Sequence, residues 1–205
     1  MAKQKRREVA VFASGNGSNF AALASAERRG TLRARIALLV CDNPHAGVLK
    51  RAARARIPSV VVERRDYSSR VRFESAIIKH LRAYRIRVIA LAGFMRMLSP
   101  AFVRRYPNRI LNIHPAILPA FKGAHAIADA YTYGVKVTGV TVHFVDAKMD
   151  HGPIILQEAL AVSGKESRAS LEKKIHRIEH RLYPEALNLL VEEKLQIRGR
   201  KVSRR

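Results

Sequence analysis

Apolar residues along the chain fall in short runs of strand length, separated by segments with helical spacing. EVAVFAS (8–14) is β-branched and apolar, ends in the loop GNGSN, and leads into FAALASAERR, whose apolar positions recur three and four apart. ARIALLV (34–40) is followed by the turn CDNPHAG and the helical VLKRAARAR, then by a short strand SVVV (59–62) and a helix from about Ser69 to Tyr84. VIALAGF (88–94) again reads as a strand, and Ser99-Pro100 as an N-cap with proline at the first helical position. Four strand-then-crossover units in succession predict an α/β fold: an open, mainly parallel twisted sheet, Rossmann-like, with helices on both faces.

RILNIH supplies a fifth strand, after which the pattern changes. VTGVTVHFV (137–145) and PIILQEALAV (153–162) are joined only by the turn DAKMDHG, which predicts an antiparallel pair extending the sheet at one side. A long amphipathic helix follows from about Ser167 to Glu193, with a bend or break expected at Pro184 because proline removes a helical hydrogen bond. We expect one domain over 8–195, its N-terminal half binding phosphate and its C-terminal half carrying the catalytic residues. Basic tails at 1–7 and 196–205 are expected to lack order.

The chain has 205 residues and a net charge of +23, from 39 Lys and Arg against 16 Asp and Glu. Residues 1–7 carry four cations and residues 198–205 five, so most of the excess lies on the folded body. Such a field attracts polyanions, RNA included, yet there is no zinc-finger spacing and no aromatic interleaving of the basic stretches. A solvated Arg-rich surface is therefore the favoured reading over nucleic-acid binding. Cys41 is the only cysteine, which excludes an intramolecular disulfide, and at the end of IALLVCD it reads as a small buried hydrophobe. No run is long enough for a membrane span and no secretory segment leads the chain, so a cytoplasmic location is expected.

Candidate chemistry falls at the carboxyl ends of the strands, where open α/β sheets bind ligands. Gly15, Asn16, Gly17, Ser18 and Asn19 close the first strand and open the first helix, a place where backbone N–H groups and the helix dipole hold an anion such as a phosphate monoester. Asn112 and His114 lie two apart at the end of the fifth strand and so share one face. Asp150 lies in the turn after the sixth. A carboxylate near an imidazole favours the imidazolium, which makes His114 a candidate general acid, while the Asn112 amide is a candidate donor to an oxyanion. The set suits attack of an amine on a carbonyl through a tetrahedral intermediate, without a covalent enzyme species. His125, His143, His151 and Asp146 match no usual metal spacing and are read as structural, with no metal expected.

SGNGSNFAAL, LAGFMRMLSPAFV, LNIHPAILPAFKGAHAI, VTGVTVHFVDAKMDHGPII and EHRLYPEAL, in that order between about Val9 and Val191, resemble the glycinamide ribonucleotide formyltransferases of purine biosynthesis. The resemblance implies the formyltransferase fold, 10-formyltetrahydrofolate as cosubstrate, and catalytic roles for Asn112, His114 and Asp150. It implies that Gly17, Ser18 and Asn19 grip the ribonucleotide phosphate and that Glu179 reaches the same substrate. It further implies that the folate is held by Arg70 and by Phe94, Met95, Arg96, Met97 and Leu98, that the turn from Asp146 to Asp150 closes over the pterin, and that Leu118-Pro119 is cis. Without the resemblance, Met95 and Met97 read as core residues.

Three features depart from the family pattern: Ala116 where Ser is usual, His151 beside Asp150, and the basic tails. A formyltetrahydrofolate hydrolase, a methionyl-tRNA formyltransferase and a non-catalytic RNA-binding module on the same fold are the alternatives. The oligomeric state, monomer or homodimer, is left open.

Overall fold

The computed structural model describes residues 6–205. The part of the N-terminal tail at 1–5 lies outside them, and Arg7 already opens the first strand. Seven strands form one sheet: β1 (Arg7–Ala13), β2 (Ala34–Cys41), β3 (Ser59–Val61), β4 (Val88–Leu91), β5 (Ile110–His114), β6 (Val137–Phe144) and β7 (Ile154–Ala161). Their order is β3-β2-β1-β4-β5-β6-β7, with the first five parallel and β6 and β7 antiparallel. The predicted sheet and its antiparallel extension are both present. The helices are α1 (Ser18–Arg28), α2 (Gly47–Ala55), α3 (Arg70–Ala83), α4 (Pro100–Arg105), α5 (Ala126–Tyr133) and α6 (Arg168–Val191).

Period-two alternation divides the core between the two faces of the sheet. Val9, Val11 and Ala13 pack with Phe20 and Leu23 of α1, Val48 of α2, and Leu171, Ile175 and Leu187 of α6. Ala10 and Phe12 face the other way, onto Phe73, Ile77 and Leu81 of α3 and Phe102 of α4. Because both faces are covered, the buried stretches of the central strands, residues 9–13, 36–41 and 88–91, are uniformly apolar. Ser69, Ser99 and Ser167 cap α3, α4 and α6 through their hydroxyls, each accepting a backbone N–H three residues on.

The structure corrects three expectations. β4 stops at Leu91, and Gly93 at φ 76 turns the chain so that Phe94 belongs to a loop. Helix α6 runs unbroken through Pro184. Residues 196–205 are ordered: β8 (Leu195–Arg198) and β9 (Lys201–Arg204) form an antiparallel hairpin, pairing Ile197 with Val202. The apolar side chains of this tail alternate between cations and supply a face to bury.

Strand β1 lies between β2 and β4, so the winding direction of the sheet reverses there and the loops after β1 and β4 diverge to leave a crevice. The loops are tied at its floor, where Ser14 N–H donates to Gly93 O (3.0 Å) and Met95 N–H to Ser14 Oγ (2.9 Å). From the opposite side the fully buried Tyr183 of α6 donates its hydroxyl to Leu91 O at 2.7 Å, with Leu111 O at 3.3 Å. It thereby joins the two strands that end at the crevice. Tyr183→Phe is expected to cost about 1–2 kcal/mol, because a buried strand carbonyl loses its donor. Urea denaturation measures this, and an unchanged midpoint would contradict the assignment.

Candidate active site

A cleft of about 520 Å³ opens at the carboxyl ends of β1, β4 and β5. One wall is the GNGSN loop. Gly17 caps α1 at φ 76, and a Cβ there would stand 2.4 Å from Val48 Cγ2, so left-handed backbone and close packing both require glycine. Helix α2 fixes the loop from behind: Val48 N–H donates to Gly15 O (3.1 Å), and the Arg51 guanidinium donates to Asn16 O (2.7 Å) and Asn16 Oδ1 (3.1 Å). The first N–H groups of α1 are left for an anion.

Glu179 is buried rather than solvent-facing, and its Oε2 accepts from Asn19 Nδ2 (3.1 Å) and His176 Nδ1 (2.7 Å). The hydrogen bond to Glu179 raises the pKa of His176 above its ordinary value, against the effect of burial. Asn19 Oδ1 is buried without a hydrogen-bond partner among the described residues.

Asn112, His114 and Asp150 come together in the same cleft, joined by His143, which the sequence pattern alone marks as structural. His143 pairs with Asn112 across the β5–β6 ladder. Its Nδ1–H donates to Phe144 O (2.7 Å), which leaves Nε2 to accept from Asn112 Nδ2 at 3.2 Å. The other amide hydrogen of Asn112 goes to Asp150 Oδ1 at 3.3 Å. Both donors expected for an oxyanion are therefore engaged in long bonds in the free site.

Asp150, at φ 44, also accepts Gly123 N–H on Oδ2 at 2.8 Å. Burial would raise its pKa, but the contacts with His143, Gly123 and His114 together bring it below the ordinary carboxylate range.

The Nε2 of His114 lies 2.8 Å from Phe121 O, and since a carbonyl only accepts, Nε2 carries a proton in every charge state. The titrating atom is Nδ1, which faces Asp150 Oδ2 at 3.5 Å. Burial lowers the His114 pKa and outweighs the opposing Asp150 carboxylate, so the net shift is downward from an ordinary imidazole. The shift works against the expected resting imidazolium, and Nδ1 is the atom at which the ring gains or loses its proton.

Around the trio, Thr141 Oγ1 donates to Ala116 O (2.7 Å) and accepts from Leu118 N (3.1 Å) and Gln157 Nε2 (2.9 Å). The loop that lacks the usual serine hydroxyl at 116 is pinned from β6 instead, and its Leu118-Pro119 bond is cis.

On the folate side the structure separates the sequence candidates. Met95 and Met97 are 68% and 53% exposed, which overturns the core reading. Phe94 stacks edge-on against Phe12 at 5.2 Å, and Leu98 is buried. Arg96 pairs with Asp42 at 2.5 Å and lies 6.0 Å from the Phe73 ring. Arg70 is absent from the lining. It bonds Glu74 (3.2 Å) and the Met97 carbonyl, so it supports the 94–98 segment from outside. Asp146 stands at the rim with its Oδ2 2.6 Å from His151 Nδ1. Among the described residues no three His, Cys, Asp or Glu side chains converge as a metal site, and no helix is long and apolar enough to cross a membrane.

A glycine loop at a helix N-terminus and an Asn–His–Asp cluster lining one cleft at the switch point of a Rossmann-like sheet suit a group-transfer enzyme acting on an anionic substrate. The formyl transferase family profile matches residues 7–187, and the chain belongs to that family. It is 44% identical to the phosphoribosylglycinamide formyltransferase of Bacillus subtilis (strain 168) over 185 residues, 90% of this chain and 95% of that one. Among solved structures it superposes on glycinamide ribonucleotide transformylase 1 from Symbiobacterium toebii with a TM-score of 0.95 and 40% identity, covering 98% of this chain and 95% of that one. The Geobacillus kaustophilus glycinamide ribonucleotide transformylase 1 gives 0.88 and 49%, over 91% and 100%.

NMR titration of the free protein should place the His114 midpoint below the ordinary imidazole value of about 6.5. Asp150→Asn should push it lower still, because the carboxylate is what opposes burial. A midpoint at or above the ordinary value would contradict the downward shift.

Proposed function

We propose that this chain transfers the formyl group of 10-formyltetrahydrofolate to the amine of glycinamide ribonucleotide in de novo purine biosynthesis. The observation that carries the reading is that the GNGSN loop and the Asn112–His114–Asp150 cluster line one cleft. The likeness to the Bacillus subtilis formyltransferase over nearly the full length of both chains supports it. The loop side fits a phosphate, and the unpartnered Asn19 Oδ1 with the Glu179 carboxylate suits the hydroxyl and amide donors of a ribonucleotide. The other side fits a flat reduced pterin, which would cover the two exposed methionines between Phe94 and the Asp146–Asp150 turn. Both reactants are water-soluble, consistent with a cytoplasmic location.

In this reading the amine nitrogen attacks the formyl carbon and negative charge grows on the formyl oxygen. Asn112 turns an amide hydrogen from its long bonds toward that charge. The proton of the attacking ammonium passes to His114 at Nδ1, the lone pair that Phe121 leaves free. The imidazolium so formed stands 3.5 Å from the Asp150 carboxylate, which stabilises it. The same proton then moves to the departing folate nitrogen, and His114 returns to neutral. Asp150 therefore acts on the charged state of the ring, which exists only during turnover.

His114→Ala and Asp150→Ala should each lower kcat by about 10²–10⁴, with KM for either substrate changed by less than about threefold. Ribonucleotide-dependent loss of 10-formyltetrahydrofolate absorbance is the assay. Near-normal turnover in His114→Ala would end the assignment.

A further inference from the structure

The C-terminal hairpin has so far only a shape. Strand β9 holds it to the fold: Arg204 pairs with Glu185 of α6 (2.6 Å) and β9 lies against β7, while Arg205 N–H donates to Lys194 O (2.9 Å) and closes the base of the hairpin. Its two-residue turn, Gly199-Arg200, is thereby projected over the loop that joins β6 to β7. There Arg200 Nη2 donates to the His151 carbonyl at 2.7 Å.

The second guanidinium nitrogen of Arg200, Nη1, stands 3.4 Å from His151 Nδ1 and 3.3 Å from Nε2. Near-equal distances to both ring nitrogens place it over the imidazole face, since an in-plane approach would collide with the carbon between them. The arrangement is a stacked contact of the kind a planar guanidinium makes well. The ring edge stays free, and Nδ1–H donates in plane to Asp146 Oδ2 at 2.6 Å. Arg200, His151 and Asp146 thus form a continuous chain across the loop that carries Asp150.

That loop has reasons to need a brace. Asp150 holds left-handed backbone at φ 44, a conformation a non-glycine residue adopts at a cost. Lys148 and Met149, between Asp146 and Asp150, are exposed. On the far side Gly152 is wedged against β6, where a Cβ would meet Phe144 O at 1.8 Å. The loop is therefore anchored firmly at its C-terminal end, while at 146–151 the chain through His151 to Arg200 is its main polar tether outside the catalytic cluster.

We propose that Arg200 is a positioning residue, and that the C-terminal hairpin is a strut holding the 146–151 loop in the form that presents Asp150 to His114 and closes the folate side of the cleft. The inference rests on the proposed function only for its kinetic consequence. The mechanical claim concerns the loop alone. It also gives a task to the cations of the C-terminal tail and to His151, which meet in one contact.

The test is amide hydrogen exchange of the full-length protein, read by mass spectrometry on peptides spanning 145–153, for wild type, Arg200→Ala, Arg200→Lys and Arg198→Ala. Arg200→Ala should exchange roughly tenfold faster in that window and be unchanged over β6, as expected for loss of a charge-assisted hydrogen bond. Arg200→Lys should recover part of the protection, and Arg198→Ala, which removes the same charge from the same hairpin, should match wild type. Unchanged exchange in Arg200→Ala, or equal acceleration in Arg198→Ala, would overturn the proposal.

In the formyl transfer assay Arg200→Ala should raise KM for the folate about fivefold or more and lower kcat, with KM for the ribonucleotide unchanged. Equal changes in both KM values would show a general structural role and count against it. Absence of transfer in wild type would defeat the functional reading, while the exchange result would still decide the strut.

Discussion

The carboxylate of Asp150 is the point on which the site is built. It sits in a strained turn, and its two oxygens take the Gly123 N–H from one loop and the Asn112 amide from β5, with His143 and His114 close by. Those groups come from β5, β6 and the loop after β5, so the carboxylate converts a meeting of strand ends and loops into a fixed geometry. Its charge is held by these partners against burial, and only a carboxylate kept ionised can stabilise an imidazolium that forms beside it. Removing it would leave Gly123 N–H and one Asn112 amide hydrogen without an acceptor and His114 without a counter-charge.

The electrostatics of the pair follow from depth. At neutral pH a solvent-exposed His–Asp pair would favour the charged ring, but His114 is 3% exposed and burial dominates its titration. In its neutral form the ring, with Nε2 committed to the Phe121 carbonyl, is a proton acceptor of fixed direction. That is a better starting state for receiving the proton of an attacking amine than a ring already charged. The sheet supplies the rigidity: β5 carries Asn112 and His114 between covered faces, and Tyr183 holds the neighbouring strand end from behind.

Much of this was legible in the chain. The uniform apolar runs from Val9 to Ala13 and from Leu38 to Cys41 speak for a doubly covered parallel sheet, and the two-residue spacing of Asn112 and His114 puts them on one face. His143 was not recognised, although Thr141 and His143 alternate with Val140 and Val142 in the same way and lie opposite His114 and Asn112. The register that makes them neighbours depends on tertiary pairing. Phe121 and Gly123 act through backbone atoms, which leave no side-chain signature. Helix α5 escaped notice because the residues it buries are Ala126 and Ala130, small side chains with a faint stripe. In the C-terminal tail, cations masked the alternation of Leu195, Ile197 and Val202 around Gly199-Arg200, a pattern that fits a two-residue hairpin turn.

The most direct test of the account follows the transferred carbon itself. Purified protein is given 10-formyltetrahydrofolate labelled with ¹³C at the formyl carbon, together with glycinamide ribonucleotide, and the label is followed by NMR. The account predicts that the folate signal is replaced by a formamide carbon on the ribonucleotide, and that it persists when the ribonucleotide is left out. Release of the label as free formate, at the same rate with or without the ribonucleotide, would contradict it.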